Sequence, residues 1–168
     1  MKRTIINPFK PTAGAEPPVL IGRERVIDDF RDGIEEGVGA PGRLMRITGP
    51  RGSGKTALLT ELGDIAKSYG WRVVDVTAAG SIVDAIQHEL ARTSDNTELH
   101  LEASLGVVKA GVSKSLTGPE TLRGVLTSVA SRETQHGAGL LVTVDEIQDA
   151  DADDVRLVAA AVQHLIRE

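Results

Sequence analysis

The eight residues Gly49-Pro50-Arg51-Gly52-Ser53-Gly54-Lys55-Thr56 constrain this chain more than any other stretch. They meet the pattern G-x-x-x-x-G-K-[ST] at every fixed position. The apolar run Leu44 to Thr48 before them reads as a buried strand, and Ala57 to Leu62 after them reads as a helix. Strand, loop and helix in that order are what a phosphate-binding loop needs. Glycines let the backbone curl until successive N–H groups face phosphate oxygens. The helix behind adds the positive end of its dipole. In such a loop Lys55 reaches the β- and γ-phosphates, and the Thr56 hydroxyl ligates Mg2+. The pattern implies a nucleoside triphosphate ligand.

Composition narrows what surrounds the loop. A length of 168 residues suits one domain with a real core. Aromatic side chains are confined to Phe9, Phe30, Tyr69 and Trp71, too few for a base-stacking platform. There is no cysteine, which excludes disulfides, a thiolate metal site and a Cys nucleophile. The net charge of −5 is uneven: residues 1–72 sum to +3 and residues 73–168 to −8. No block is basic enough to be a nucleic-acid footprint by itself. Met1-Lys2-Arg3 is basic, but no apolar stretch of signal-peptide or membrane-span length follows it. A cytoplasmic protein without a membrane anchor is expected.

Residues 1–20 hold Pro8, Pro11, Pro17, Pro18 and Gly14, so regular helix and central strand are excluded there. The segment is read as an extended, partly docked arm rather than a disordered tail. Ile5, Ile6, Phe9, Val19 and Leu20 give an arm something to bury. The remaining residues, 21–168, are read as one core. Val26, Ile27, Phe30 and Ile34 predict a helix from about Arg23 to Glu36, ended by the loop Gly37 to Gly42. The helix after the phosphate loop is expected to stop at Gly70. Trp71 to Thr77 reads as a second strand. Ser81 and Asp84 have capping-box spacing and open a helix to Arg92, with Ile82, Val83, Ile86 and Leu90 inward. Leu99 to Ser115 alternates on either side of Gly106, as a β-hairpin would; a continuous helix competes, against Gly106 and Gly111. Gly118-Pro119 starts another helix, with Leu122, Val125, Leu126 and Val129 inward. A last helix runs from about Asp151 to Arg167, with Val155, Val158, Ala159, Val162 and Leu165 as its apolar stripe.

Before that helix, Leu140-Leu141-Val142-Thr143-Val144 ends in Asp145-Glu146, 90 residues beyond Lys55. This is the Walker-B pattern that complements the Walker-A loop. A strand buried on both faces of a parallel sheet is uniformly apolar, and its C-terminal end opens at the ligand edge. Asp145 is placed to hold Mg2+, and Glu146 to polarise an attacking water. Gln148 either positions the γ-phosphate or is simply exposed. Arg51 faces solvent or a neighbouring subunit. His88, His100, His136 and His164 show no ligand spacing. Asp149, Asp151, Asp153 and Asp154 lack the Gly and terminal Glu of a calcium loop and read as a solvated helix-capping run.

With Leu20-Ile21-Gly22-Arg23-Glu24, the Gly49–Thr56 loop and Val142 to Gln148 together, the chain resembles the AAA+ and related STAND-type ATPases. More narrowly, it is similar to bacterial ATP-binding proteins of the origin-recognition-like and archaeal-ATPase-like branch. The resemblance implies a P-loop NTPase three-layer α/β/α sandwich with a mostly parallel sheet. It also implies ATP rather than GTP, in keeping with the lack of an Asn-Lys-x-Asp motif. It makes Ile21, Gly22 and Arg23 candidates for the adenine pocket, and Asp145 and Glu146 the magnesium and water-activating acids. In that family a sensor strand and a helical lid follow the last helix. A chain stopping at Glu168 is then expected to be an amino-terminal piece, with a gap between the phosphate-loop strand and the Asp145 strand. Leu99–Ser115 or a neighbouring chain is expected to close that gap.

Three functions fit these features. The first is Mg2+-dependent ATP hydrolysis, with Lys55 and Glu146 catalytic. The second is a nucleotide-dependent switch or assembly module, with self-association or a protein partner supplying missing elements. The third is a DNA-associated ATPase whose DNA-reading part lies outside these residues.

Overall fold

A computed structural model describes residues 22–37, 40–92 and 119–165. The Pro-rich arm, Ile21, the Leu99–Ser115 segment and His100 lie outside the described residues. The chain divides into two compact units, Met1–Ile65 and Ala66–Glu168.

In the first unit, helix α1 spans Glu24–Glu36. Val26, Ile27, Phe30 and Ile34 recur at the helical period and lie on its less exposed side, as their spacing predicts. The helix ends at Gly37, whose φ of +83° suits a residue without a Cβ. The chain then returns through a 3-10 turn, Pro41–Arg43, which lies backbone to backbone on α1. A Cβ on Gly33 would stand 2.7 Å from the Gly42 carbonyl carbon, and one on Gly42 would overlap the Asp29 carbonyl oxygen. Arg43 Nε closes this contact with a 2.9 Å bond to the Gly33 carbonyl.

Leu44 to Thr48 departs from expectation. The segment is not a buried strand. Leu44 has extended dihedrals, yet it is 64% exposed, and no ladder forms along the segment among the described residues. Met45 and Ile47 are half-buried while Leu44, Arg46 and Thr48 are exposed. The period of two survives, but backbone pairing does not. Apolar content favours extended chain, whereas a strand exists only where a second strand satisfies its N–H and C=O groups.

Helix α2, Lys55–Ser68, carries on from the loop. Leu58, Leu62 and Ile65 form its buried side. Its end is a Schellman motif: the Gly70 amide (φ +77°) donates to Lys67 and the Trp71 amide to Ala66, at 2.9 and 3.0 Å.

In the second unit, β1 (Arg72–Thr77) is followed by α3 (Ile82–Arg92), α4 (Pro119–Gln135), β2 (Leu140–Asp145) and α5 (Ala152–Leu165). The two strands run parallel, with Arg72 opposite Leu140 and Thr77 opposite Asp145. Helix α4 ends as α2 does, with Gly137 donating to Thr134 and Ala138 to Glu133, both at 3.0 Å. Each strand therefore hangs from a glycine-terminated helix. Gly139 must also lack a side chain, because a Cβ there would lie 2.5 Å from the Trp71 indole.

The core forms on one sheet face. Val74 and Val76, with Val142 and Val144 beside them, pack against Ile86 and Leu90 of α3, Leu122, Leu126 and Val129 of α4, and Ala161 of α5. The inward residues expected for α3 and α4 are thus inward. Ser81 Oγ caps α3 by accepting from the Asp84 amide at 3.2 Å. In α5 the stripe is rotated from expectation. Leu157, Val158, Ala161 and Leu165 meet the core, whereas Ala159 is exposed. An alanine offers too little area to fix which side of a helix turns inward. The opposite sheet face is polar at its centre, where Thr143 Oγ1 donates a 2.6 Å hydrogen bond across the ladder to Asp75 Oδ1.

Candidate functional site

The residues singled out by sequence fall into two groups, one in each unit.

The first group is the phosphate loop. Gly52 and Gly54 have φ of +78° and +80°, a region open to glycine and strained for other residues. These two reversals curl the chain, and the Ser53 amide closes the curl on the Pro50 carbonyl at 3.2 Å. Lys55 begins α2 and turns its ammonium back beneath the loop, where Nζ donates to the Gly49 and Pro50 carbonyls, each at 3.2 Å. The first-turn amides of a helix have no acceptor in their own helix and point outward from its start. Thr56 and Arg51 are exposed.

Arg23 takes a place that spacing did not suggest. Its guanidinium donates a 2.6 Å hydrogen bond to the Ser53 carbonyl, so the residue before α1 clamps the middle of the loop. Beside it, a cavity of about 380 Å3 is lined by Arg23, Val26, Met45, Ile47 and Leu58 among others. Gly22 is exposed and donates its amide to Glu24 Oε1 at 3.3 Å. Backbone hydrogen bonds at Glu24 and from Gly22 hold the Glu24 carboxyl below the usual glutamate range.

The loop suits an oxygen-rich anion. Ser53 Oγ is buried in it without a protein hydrogen-bond partner. A side chain on Gly49 would crowd that oxygen at 2.7 Å, so glycine there leaves the hydroxyl its space. A hydroxyl, a lysine ammonium and helix-start amides all match phosphate oxygens in charge and hardness.

The second group lies at the C-terminal end of β2. Asp145 is half-buried and Glu146 is exposed. The Glu146 amide donates to Asp145 Oδ1 at 2.8 Å. Glu146 has φ +52° and ψ +35°, the one non-glycine left-handed residue among those described. Such a backbone persists where its surroundings over-determine it. Here the Asp145 carboxylate on one side and a 3-10 turn, Ile147–Asp149, on the other do so. The Gln148 side-chain amide donates to Glu146 Oε2. Sequence gave no sign of the Glu146 conformation, although Gln148 two residues on was a visible partner.

A hydroxyl from Thr56 and a carboxylate from Asp145 are hard oxygen donors of the kind Mg2+ prefers. No cluster of three His, Asp or Glu side chains with metal-binding geometry occurs among the described residues. His88 lies 3.9 Å from Glu89, and His136 contacts the Arg132 carbonyl. Asp151 caps α5 through the Asp153 amide at 2.8 Å, and Asp153 pairs with Arg156, as a capping run should. Among the described residues no helix is long and apolar enough to cross a membrane.

Residues 19–167 match the family model described as AAA ATPase domain. No curated protein and no solved structure matches the chain.

Proposed function

Because the chain belongs to the AAA ATPase domain family, we propose that it binds ATP with Mg2+ through the Gly49–Thr56 loop and hydrolyses it. The observation that carries this reading is the loop itself: left-handed Gly52 and Gly54, a buried Ser53 hydroxyl, and Lys55 turned under the curl. The backbone amides of Arg51, Gly52 and Gly54 are donors left for the phosphates, since Pro50 has no N–H and the Ser53 amide is held by the Pro50 carbonyl, and Lys55 offsets charge that develops on the transferred group. The Thr56 hydroxyl and the Asp145 carboxylate would each offer an oxygen to Mg2+, whose charge would offset that of the phosphates. Glu146 orients the attacking water and accepts its proton. By the same reading Gly22 and Arg23 are the candidates to meet the adenine; Ile21, the third candidate, lies outside the described residues.

Nucleotide binding and turnover of the full chain test this reading. Lys55→Ala should abolish measurable binding of a fluorescent ATP analogue. Glu146→Gln should bind it normally and lose turnover by about 10²–10⁴-fold. Unchanged affinity in Lys55→Ala would remove the loop from the mechanism. Full turnover in Glu146→Gln would remove the base.

The hydrogen bond from Gln148 to Glu146 favours a second reading. A carboxylate engaged by an amide is held from water, as in a nucleotide-dependent switch whose turnover waits on a partner. Gln148→Ala then raises basal turnover. A fall in turnover instead assigns Gln148 to positioning.

A further inference from the structure

The outer edge of β1 carries this inference. In a parallel ladder the N–H and C=O of one residue point to the same side, and the side alternates along the strand. Arg72 donates its amide to Gly139 and Ala78 donates to Asp145, at 2.8 and 3.0 Å, so the even-numbered residues of β1 face β2. The backbone groups of Val73, Asp75 and Thr77 therefore face the other way. Among the described residues the sheet holds two strands, so no strand pairs with that edge. The Thr77 carbonyl is taken by a turn to Ala79. Val73 and Asp75 present two donors and two acceptors in extended geometry.

This edge is the floor of a groove of about 410 Å3 lined by Asp75, Val76 and Thr77 of β1 and by Asp84, Ala85, His88 and Glu89 of α3. Its charge is acidic on both walls. Asp84 is exposed and has no ion-pair partner among the described residues. Asp75 keeps one carboxylate oxygen beyond its bond with Thr143. Glu89 is partly matched by Arg92 at 2.8 Å, and His88 is the other titratable group on the wall.

We propose that the β1 edge and the α3 wall form a docking site for an extended, Lys/Arg-bearing segment of a protein partner, which adds to β1 as a third strand. Main-chain bonds to Val73 and Asp75 supply the pairing. Basic side chains that alternate in direction meet Asp75 on one face and Asp84 and Glu89 on the other. An edge strand left open in a folded protein is normally blocked by lysine, proline or a bulge. Here Arg72–Thr77 holds no lysine, proline or bulge; its arginine is engaged by Glu133 and the Leu90 carbonyl, and the charge beside the outward backbone groups is that of Asp75.

The test uses the full chain, isotope-labelled, and an eight-residue synthetic peptide of Lys-Lys-Val-Val repeated, whose neighbouring lysines point to opposite faces of an extended strand. Saturable shifts at the Val73, Asp75 and Thr77 amides, with slowed hydrogen exchange at Val73 and Asp75, are expected. Asp84→Lys should weaken binding roughly tenfold. Val73→Pro removes an outward donor and leaves the β2 ladder bonds in place, so it should abolish binding with the far-ultraviolet spectrum unchanged. If that variant does not fold, a peptide N-methylated at alternate amides replaces it and should not bind. Equal binding by the N-methylated peptide or by a Glu-for-Lys peptide overturns the proposal. So does peptide-induced change confined to other residues, or pairing of this edge with a second copy or with another segment of this chain.

Discussion

Arg23 and Ser53, thirty residues apart, are joined by a 2.6 Å hydrogen bond from guanidinium to carbonyl. The bond ties the entry to α1 to the loop proposed to hold phosphate. It makes loop shape depend on a side chain outside the motif. Arg23→Ala should therefore raise the dissociation constant for ATP about three- to tenfold. Arg23→Lys should recover little of that, because an ammonium on a flexible stem does not reproduce the fork. Calorimetric titration of both variants is the check, and equal affinity in all three proteins would show that the loop holds its shape unaided.

The contact between Gly33 and Gly42 is between backbones, so neither neighbour has a side chain to move aside. Gly42→Ala should destabilise the first unit by about 1–3 kcal/mol. Urea unfolding followed by circular dichroism measures this. Gly124→Ala, where a Cβ meets nothing within 4 Å and the residue sits inside α4, is the control and should stabilise slightly.

At Glu146 stability and chemistry should part company. Asn accepts left-handed backbone more readily than Glu, so Glu146→Asn should be more stable by up to about 1 kcal/mol. The same change removes the carboxylate proposed to orient water, and turnover should fall. A variant that is less stable and inactive would mean that the conformation is not strained.

Acid should loosen the start of α1. The Glu24 carboxyl is held below its usual range, so its contribution is present at neutral pH and is lost as pH falls through the lowered folded value, below about 4.5. Glu24→Gln should flatten that part of the acid limb in a pH series of unfolding midpoints. An unchanged limb would assign the acid sensitivity to other carboxylates.

What sequence made legible was whatever a short window contains. The loop's glycines, the helix stop at Gly70, the inner faces of α3 and α4, and Asp145 at a strand end follow from local pattern. Leu44–Thr48 failed because a strand needs a partner strand, and none pairs with this segment among the described residues. Ala159 failed because a methyl group weakly biases a helix. Arg23 on Ser53 and Gln148 on Glu146 are side-chain choices among several nearby acceptors. Asp75 between Val74 and Val76 was the visible sign that one face of the sheet is not core.

The chain's single tryptophan is Trp71, and its indole rests on the backbone of Gly139 at the point where both strands begin. Fluorescence from this one ring is therefore a local optical gauge of whether β1 and β2 remain zipped together. Its emission should shift to the red when the ladder opens at Arg72 and Leu140. A peptide seated on the far edge of β1 should leave its wavelength unchanged.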